Sequence, residues 1–195
     1  MQTLKLAKLF TYVAVFNGFL AFVFTLPILV PSLCIATPPG TFGCAFSMET
    51  SWPGTWLLVA YLVLISVGVL GMLGWGVTYY LKSQLFGKTE VNRNLAWLQL
   101  VLFEIGIIGA TSVMAAIGFV GGNYVAHGGN PIVAAEVVRT QIIPPLSTDP
   151  ASVFYDMPPV VEALFIALAV LGMLVGLVNF LRTKAMPGQA VKMNA

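Results

Sequence analysis

Few side chains in this sequence are equipped for chemistry, and they are widely spaced. The sharpest is Glu104, which interrupts an apolar run extending from Leu95 to about Gly121. A charged carboxylate in the middle of a bilayer costs several kcal/mol, so such groups face a protein interior and find partners there. Two readings follow. Glu104 is either a proton relay, or a contact to a buried cationic or quinone-like group, or it is a neutral carboxyl hydrogen-bonded to serine, threonine or backbone on a neighbouring helix. A relay needs a series of polar groups, and the same run supplies only Gln99, Thr111 and Ser112.

Metal chemistry is poorly provided for. The chain has two cysteines and one histidine, His127, whereas a structural zinc site takes about four Cys or His ligands. We expect no metal ligands and no catalytic residue supplied by this chain alone. His127 lies between glycine-rich stretches and reads as a solvated loop residue. Cys34 and Cys44 flank Pro38-Pro39-Gly40, a turn that would fold the chain back on itself, and the pair is expected to form a disulfide. The alternative is two free thiols at the membrane edge. A redox-active pair fits less well, because such motifs set the cysteines about two residues apart. Glu162 reads as interfacial, and Asn17 and Asn179 as polar contacts between helices or to lipid headgroups. No nucleophile elbow, phosphate-binding loop or dinucleotide fingerprint occurs.

The elements that position these residues are transmembrane helices. Of the 195 residues, 58% are hydrophobic and only 8% charged, against about 25% charged in soluble domains. Crossing a bilayer takes about 20 apolar residues, and four runs qualify, at about 9–31, 56–81, 95–121 and 160–181. Each is apolar all round. The expected fold is therefore all-α, a single four-helix membrane domain over residues 1–195. The first run follows Lys5 and Lys8 as a signal peptide would, but it is too long for one and reads as a retained helix.

Orientation follows from the basic residues. Lys5 and Lys8 precede the first span, Lys82, Lys88 and Arg93 lie between the second and third, and Arg182, Lys184 and Lys192 follow the fourth. Of the basic residues, only Arg139 falls on the other side. Positive charge is retained on the cytoplasmic face, so the expectation is a multi-pass protein of the cell membrane with both termini cytoplasmic. Two outer loops result. The second, Gly122 to Pro159, is the longer and carries a short amphipathic stretch with Ile132, Val133, Val137 and Val138 on one face. Small residues mark helix packing: Ala14 and Gly18, Gly68 and Gly71, Gly106 and Gly109, and Gly172 and Gly176. Trp52, Trp56, Phe154 and Tyr155 outside, and Tyr79, Tyr80 and Trp97 inside, fit interfacial belts. The absence of a basic stripe interleaved with aromatics argues against nucleic acid as a partner.

Three segments carry a family resemblance: Asn94-Leu95-Ala96-Trp97-Leu98 opening the third span, Phe154-Tyr155-Asp156-Met157-Pro158-Pro159 leading into the fourth, and Leu181-Arg182-Thr183-Lys184 leaving it. With the order and spacing of the spans, they resemble the first four helices of the catalytic subunit of B-type haem–copper oxygen reductases. In that family the second helix carries a haem-binding histidine, whereas residues 56–81 here contain none. The later helices that hold copper and the second haem have no counterpart. No haem or copper ligand therefore carries over, and the resemblance implies a non-catalytic relative or companion subunit in a respiratory complex. The expected function is an accessory subunit of a respiratory terminal oxidase or other electron-transport assembly. Its partners would be other integral membrane subunits and the bilayer, with lipid or quinone as candidate occupants of the helix grooves. The competing class is a small quinone-linked membrane oxidoreductase subunit using Glu104 as proton acceptor. A transporter is disfavoured, since four helices offer little polar lining and no inverted repeat is evident.

Overall fold

Helices predominate because backbone polar groups have no water to bond in a bilayer and must be satisfied within the segment. A computed structural model describes residues 2–29, 54–86, 90–126, 128–130, 133–134, 137 and 157–182. Helix α1 is Thr3–Leu29; α2 is Thr55–Val63, continued by a π-helical turn at Leu64–Val69 into α3, Leu70–Phe86; α4 is Arg93–Ala126; and α5 is Met157–Arg182. Four helices are long and apolar enough to cross a membrane, at Thr3–Leu26, Thr55–Leu85, Arg93–Gly122 and Val160–Arg182. Cys34, Cys44, His127, Trp52, Phe154, Tyr155, Asp156 and most of the expected amphipathic stretch lie outside the described residues.

Several boundaries differ from the sequence expectation. The first helix begins at Thr3 rather than Leu9, taking Lys5 and Lys8 into its opening turns. Lysine is a good helix former, and its long stem can carry the ammonium back toward water. Lys82 was expected between the second and third spans, but it lies inside α3 and is buried. Met157-Pro158-Pro159, ahead of the run expected at about 160–181, forms the first turn of α5. Proline is tolerated there because the first-turn N–H groups have no intrahelical acceptor.

The helix ends are closed by recognisable devices. Asn92 caps α4: its Oδ1 accepts hydrogen bonds from the backbone N–H groups of Asn94 at 2.9 Å and Leu95 at 3.2 Å. At the far end of α4, Gly128 donates to Val125 O at 2.9 Å and Gly129 to Tyr124 O at 3.0 Å. Gly128 has φ +83°, a left-handed conformation that glycine adopts without a side-chain clash, so this is a Schellman closure.

The spans are arranged in chain order: α1 lies against α2–α3, α2–α3 against α4, and α4 makes the broadest contact of all with α5. Their ends interlock at one end of the bundle. Gln2 forms an isolated antiparallel bridge with Glu90, Asn92 N donates to Asn179 Oδ1 at 3.2 Å, and Lys82 Nζ donates to Phe180 O. The start of α1, the α3–α4 connection and the end of α5 thus meet, which is an up-and-down bundle. The core runs through Leu6, Phe10, Ala14, Leu64, Met72, Tyr79, Phe103 and Ile107.

The α4–α5 contact depends on missing side chains. A Cβ on Gly106 would lie 2.6 Å from Phe165 O, and one on Gly172 would lie 2.6 Å from Phe103 N. Gly109 faces the Phe165 ring and Gly176 the Gln99 amide. Backbones approach this closely because lipid gives helices no hydrophobic reason to associate, leaving van der Waals contact to hold them. The same closeness occurs at Gly118, where a Cβ would lie 2.9 Å from Leu57 Cα; the sequence reading did not single out this residue. Gly18 is the opposite case: nothing in the described chain lies within 4 Å of its Cβ position.

Candidate functional site: a carboxyl on a lipid-facing groove

Glu104 is held by a side chain of the first span, which is itself tied to the second. Asn17, in the middle of α1, is fully buried. Its Nδ2 donates to Glu104 Oε2 at 3.1 Å and to Gly68 O at 3.0 Å. Gly68 belongs to the π-helical turn, in which Leu70 N–H reaches back to Ile65 O. Such single π turns recur where a helix departs from regular geometry for a function. A Cβ on Gly68 would stand 3.0 Å from Leu64 Cδ1 and 3.2 Å from Ile107 Cγ2. Glycine here lets the first, second and third spans meet around one amide.

The hydrogen bonds do not balance. Both Asn17 N–H groups are used. Asn17 Oδ1 and Glu104 Oε1 are buried and accept no hydrogen bond among the described residues. An ionised carboxylate is acceptor only, so it would add to this excess of acceptors, whereas a neutral one brings a hydrogen of its own. Two buried acceptors thus lack a donor among the described residues, and a neutral Glu104 would bring the cluster one hydrogen.

Two of the polar groups weighed as relay members, Thr111 and Gln99, are engaged elsewhere. Thr111 Oγ1 donates to Ile107 O of its own helix at 2.7 Å. Gln99 belongs to a second cluster, accepting at Oε1 from Tyr79 Oη at 2.9 Å, with Gly176 O a further acceptor at 3.4 Å. Glu104 is therefore bound to Asn17, and no chain of Gln99, Glu104 and Thr111 forms.

One side of Glu104 faces outward. Together with Phe16, Ile105, Ile108, Gly109 and Phe165 it lines a groove of about 370 Å³. The groove lies between the first and fourth spans, which have little contact with each other, and its mouth opens on the apolar outer surface. No family of known proteins, no curated protein and no solved structure matches the chain. The reading of the groove therefore depends on its own chemistry.

The second cluster was missed in the sequence, which placed Tyr79 in an interfacial belt. Tyr79 is fully buried, stacked on Phe10 and Trp75 with ring centroids 5.9 Å away in each case, and edge-on to Phe180 at 6.3 Å. Lys82 Nζ lies 3.5 Å from the centre of the Phe180 ring, a cation–π contact. Asn179, one residue earlier, is buried on the Asn92 backbone rather than facing headgroups. These groups tie the ends of the spans together and have the character of a structural clasp. Glu162 lies half-buried near the start of α5. No group of three or more potential metal ligands occurs among the described residues.

Proposed function

We propose that this chain is a non-catalytic accessory subunit of a larger membrane complex, embedded in the cell membrane with both termini cytoplasmic. The resemblance to haem–copper oxygen reductases makes a respiratory terminal oxidase, or another electron-transport assembly, the favoured complex. The orientation is supported by Lys5, Lys8, Lys82, Arg93 and Arg182 gathering near the interlocked end of the bundle. The observation that carries the subunit reading is the groove at Glu104. An apolar cleft between two poorly joined spans, with the half-buried Glu104 in its wall, suits a transmembrane helix of a partner subunit. Interhelical contacts in lipid favour small residues that let backbones approach, and Gly109 supplies one in the wall of the groove.

Extraction in a mild detergent followed by native electrophoresis and identification of co-purifying chains tests this. The expected result is a large assembly that Ile108→Trp, which fills the groove, dissociates. A stable monomer with an activity of its own would overturn the proposal. A second reading has support from the same groove: its size and apolar lining also suit a quinone ring beside a proton-accepting Glu104. Bound quinone in the purified chain, with turnover lost in Glu104→Gln, would favour that reading.

A further inference from the structure

A second cleft lies on another face, near the interlocked end of the bundle, between α1 and α3. It has a volume of about 430 Å³, and its walls include Lys8, Thr11, Tyr12, Gly76, Val77 and Tyr80. Gly76 makes the cleft: a Cβ there would come within 3.3 Å of Ala7 O and 3.4 Å of Thr11 Oγ1, so the two helices touch at its floor. Above that floor the walls diverge. Tyr12, Val77 and Tyr80 present large exposed surfaces, which in a membrane face acyl chains.

The polar groups are unevenly distributed. Lys8 lies five positions after the first residue of α1, about 7 Å along the axis at 1.5 Å per residue, within reach of the headgroup region for a lysine stem. Tyr12 and Tyr80 add hydroxyl-bearing rings of the kind that settle at this depth. One end of the cleft therefore offers a cation and hydroxyl donors, and the rest is apolar except for Thr11, whose hydroxyl donates to Ala7 O of its own helix. That polarity matches one chemical class, an amphiphile with an anionic head and a hydrocarbon tail.

We infer that this cleft is a binding site for an anionic phospholipid, its phosphate at Lys8 and an acyl chain along Val77 and the Gly76 floor. The inference depends on the membrane character of the chain and is independent of which complex it joins. If the positive end is cytoplasmic, the lipid belongs to the cytoplasmic leaflet, where anionic headgroups attract basic residues close to the membrane surface.

Native mass spectrometry of the full chain, released from detergent with phosphatidylglycerol or phosphatidylcholine of matched acyl chains, is the test. Phosphatidylglycerol should be retained in preference to phosphatidylcholine. Lys8→Gln should lower its retention by about fivefold, the worth of one basic residue near a membrane surface, and Lys8→Arg should restore it. Lys5→Gln is the control, because Lys5 is exposed on the same helix but does not line the cleft. Val77→Trp should displace the lipid by occupying the chain's place while leaving the core intact. Equal losses from Lys5→Gln and Lys8→Gln would mean diffuse attraction and overturn the site. Equal retention of the two lipids, or a dimer that Val77→Trp abolishes, would also overturn it, the latter by making the cleft a helix-docking surface.

Discussion

At the scale of the residue, Asn17 is the most informative side chain. One amide bonds both a carboxyl on the third span and a carbonyl in the π turn of the second. Removing it alone leaves Glu104 Oε2 and Gly68 O without their donor, and unsatisfied buried groups cost more than the bond itself contributed. Asn17→Leu should therefore destabilise the bundle by roughly 1–2 kcal/mol, near the upper range for polar contacts between membrane helices. The double variant Asn17→Leu/Glu104→Leu should be less destabilised than the sum of the two single variants, since both polar partners are gone. Reversible unfolding in mixed micelles measures this cycle. Strict additivity would mean that the two side chains are not coupled. Asn17 was recognised in the sequence as a polar contact of some kind. Its pairing with Glu104 was not, because a polar residue within an apolar run declares that it needs a partner without declaring which one.

At the scale of the element, the glycines differ in ways that their spacing hides. Gly106 lies against α5 backbone, where a Cβ would be 2.6 Å from Phe165 O and 2.7 Å from Ala169 Cα. Backbone cannot rotate aside as a side chain can. Gly106→Ala should push the third and fourth spans apart, at a cost of roughly 1–3 kcal/mol typical of overpacking. Gly71 is different, since a Cβ there meets the Phe103 ring at 3.5 Å and Val67 Cγ1 at 3.9 Å, ordinary contact. Gly71→Ala should be neutral or stabilising by up to about 1 kcal/mol, because alanine loses less backbone freedom in a helix. Thermal denaturation of the two variants in the same detergent should separate them clearly. Similar losses in both would contradict the packing described. Glycine pairs mark helices that approach closely, but Gly18 shows the limit of that signal. Its face of α1 has no neighbour in the described chain, while Gly118, outside any motif recognised, is among the tightest.

At the scale of the whole molecule, one end of the bundle is secured where Gln2 meets Glu90, Asn92 meets Asn179 and Lys82 meets Phe180. The opposite end of α1 leads into the segment that carries both Cys34 and Cys44. If that side is the exported one, the two thiols meet an oxidising compartment. Closing so short a loop should stabilise the protein by about 2–3 kcal/mol through restriction of the unfolded chain. Intact-mass measurement with alkylation before and after reduction should show both cysteines protected until reductant is added. Alkylation of both without reductant would establish free thiols.

The sequence by itself determined the four helices long and apolar enough to cross a membrane, and their approximate limits, because hydropathy over about 20 residues is a local, additive property. It also determined that basic residues collect at one set of helix ends. Only the tertiary structure decided which faces meet. Helices that are apolar all round carry no hydrophobic stripe to orient them, and in lipid the hydrophobic effect does not favour one rotation over another. Rotation and neighbour choice are settled by close backbone contact and a few polar bonds between spans. That is why Tyr79 and Asn179 turn inward, Gly18 turns outward, and Asn17 is joined to Glu104 from 87 residues away.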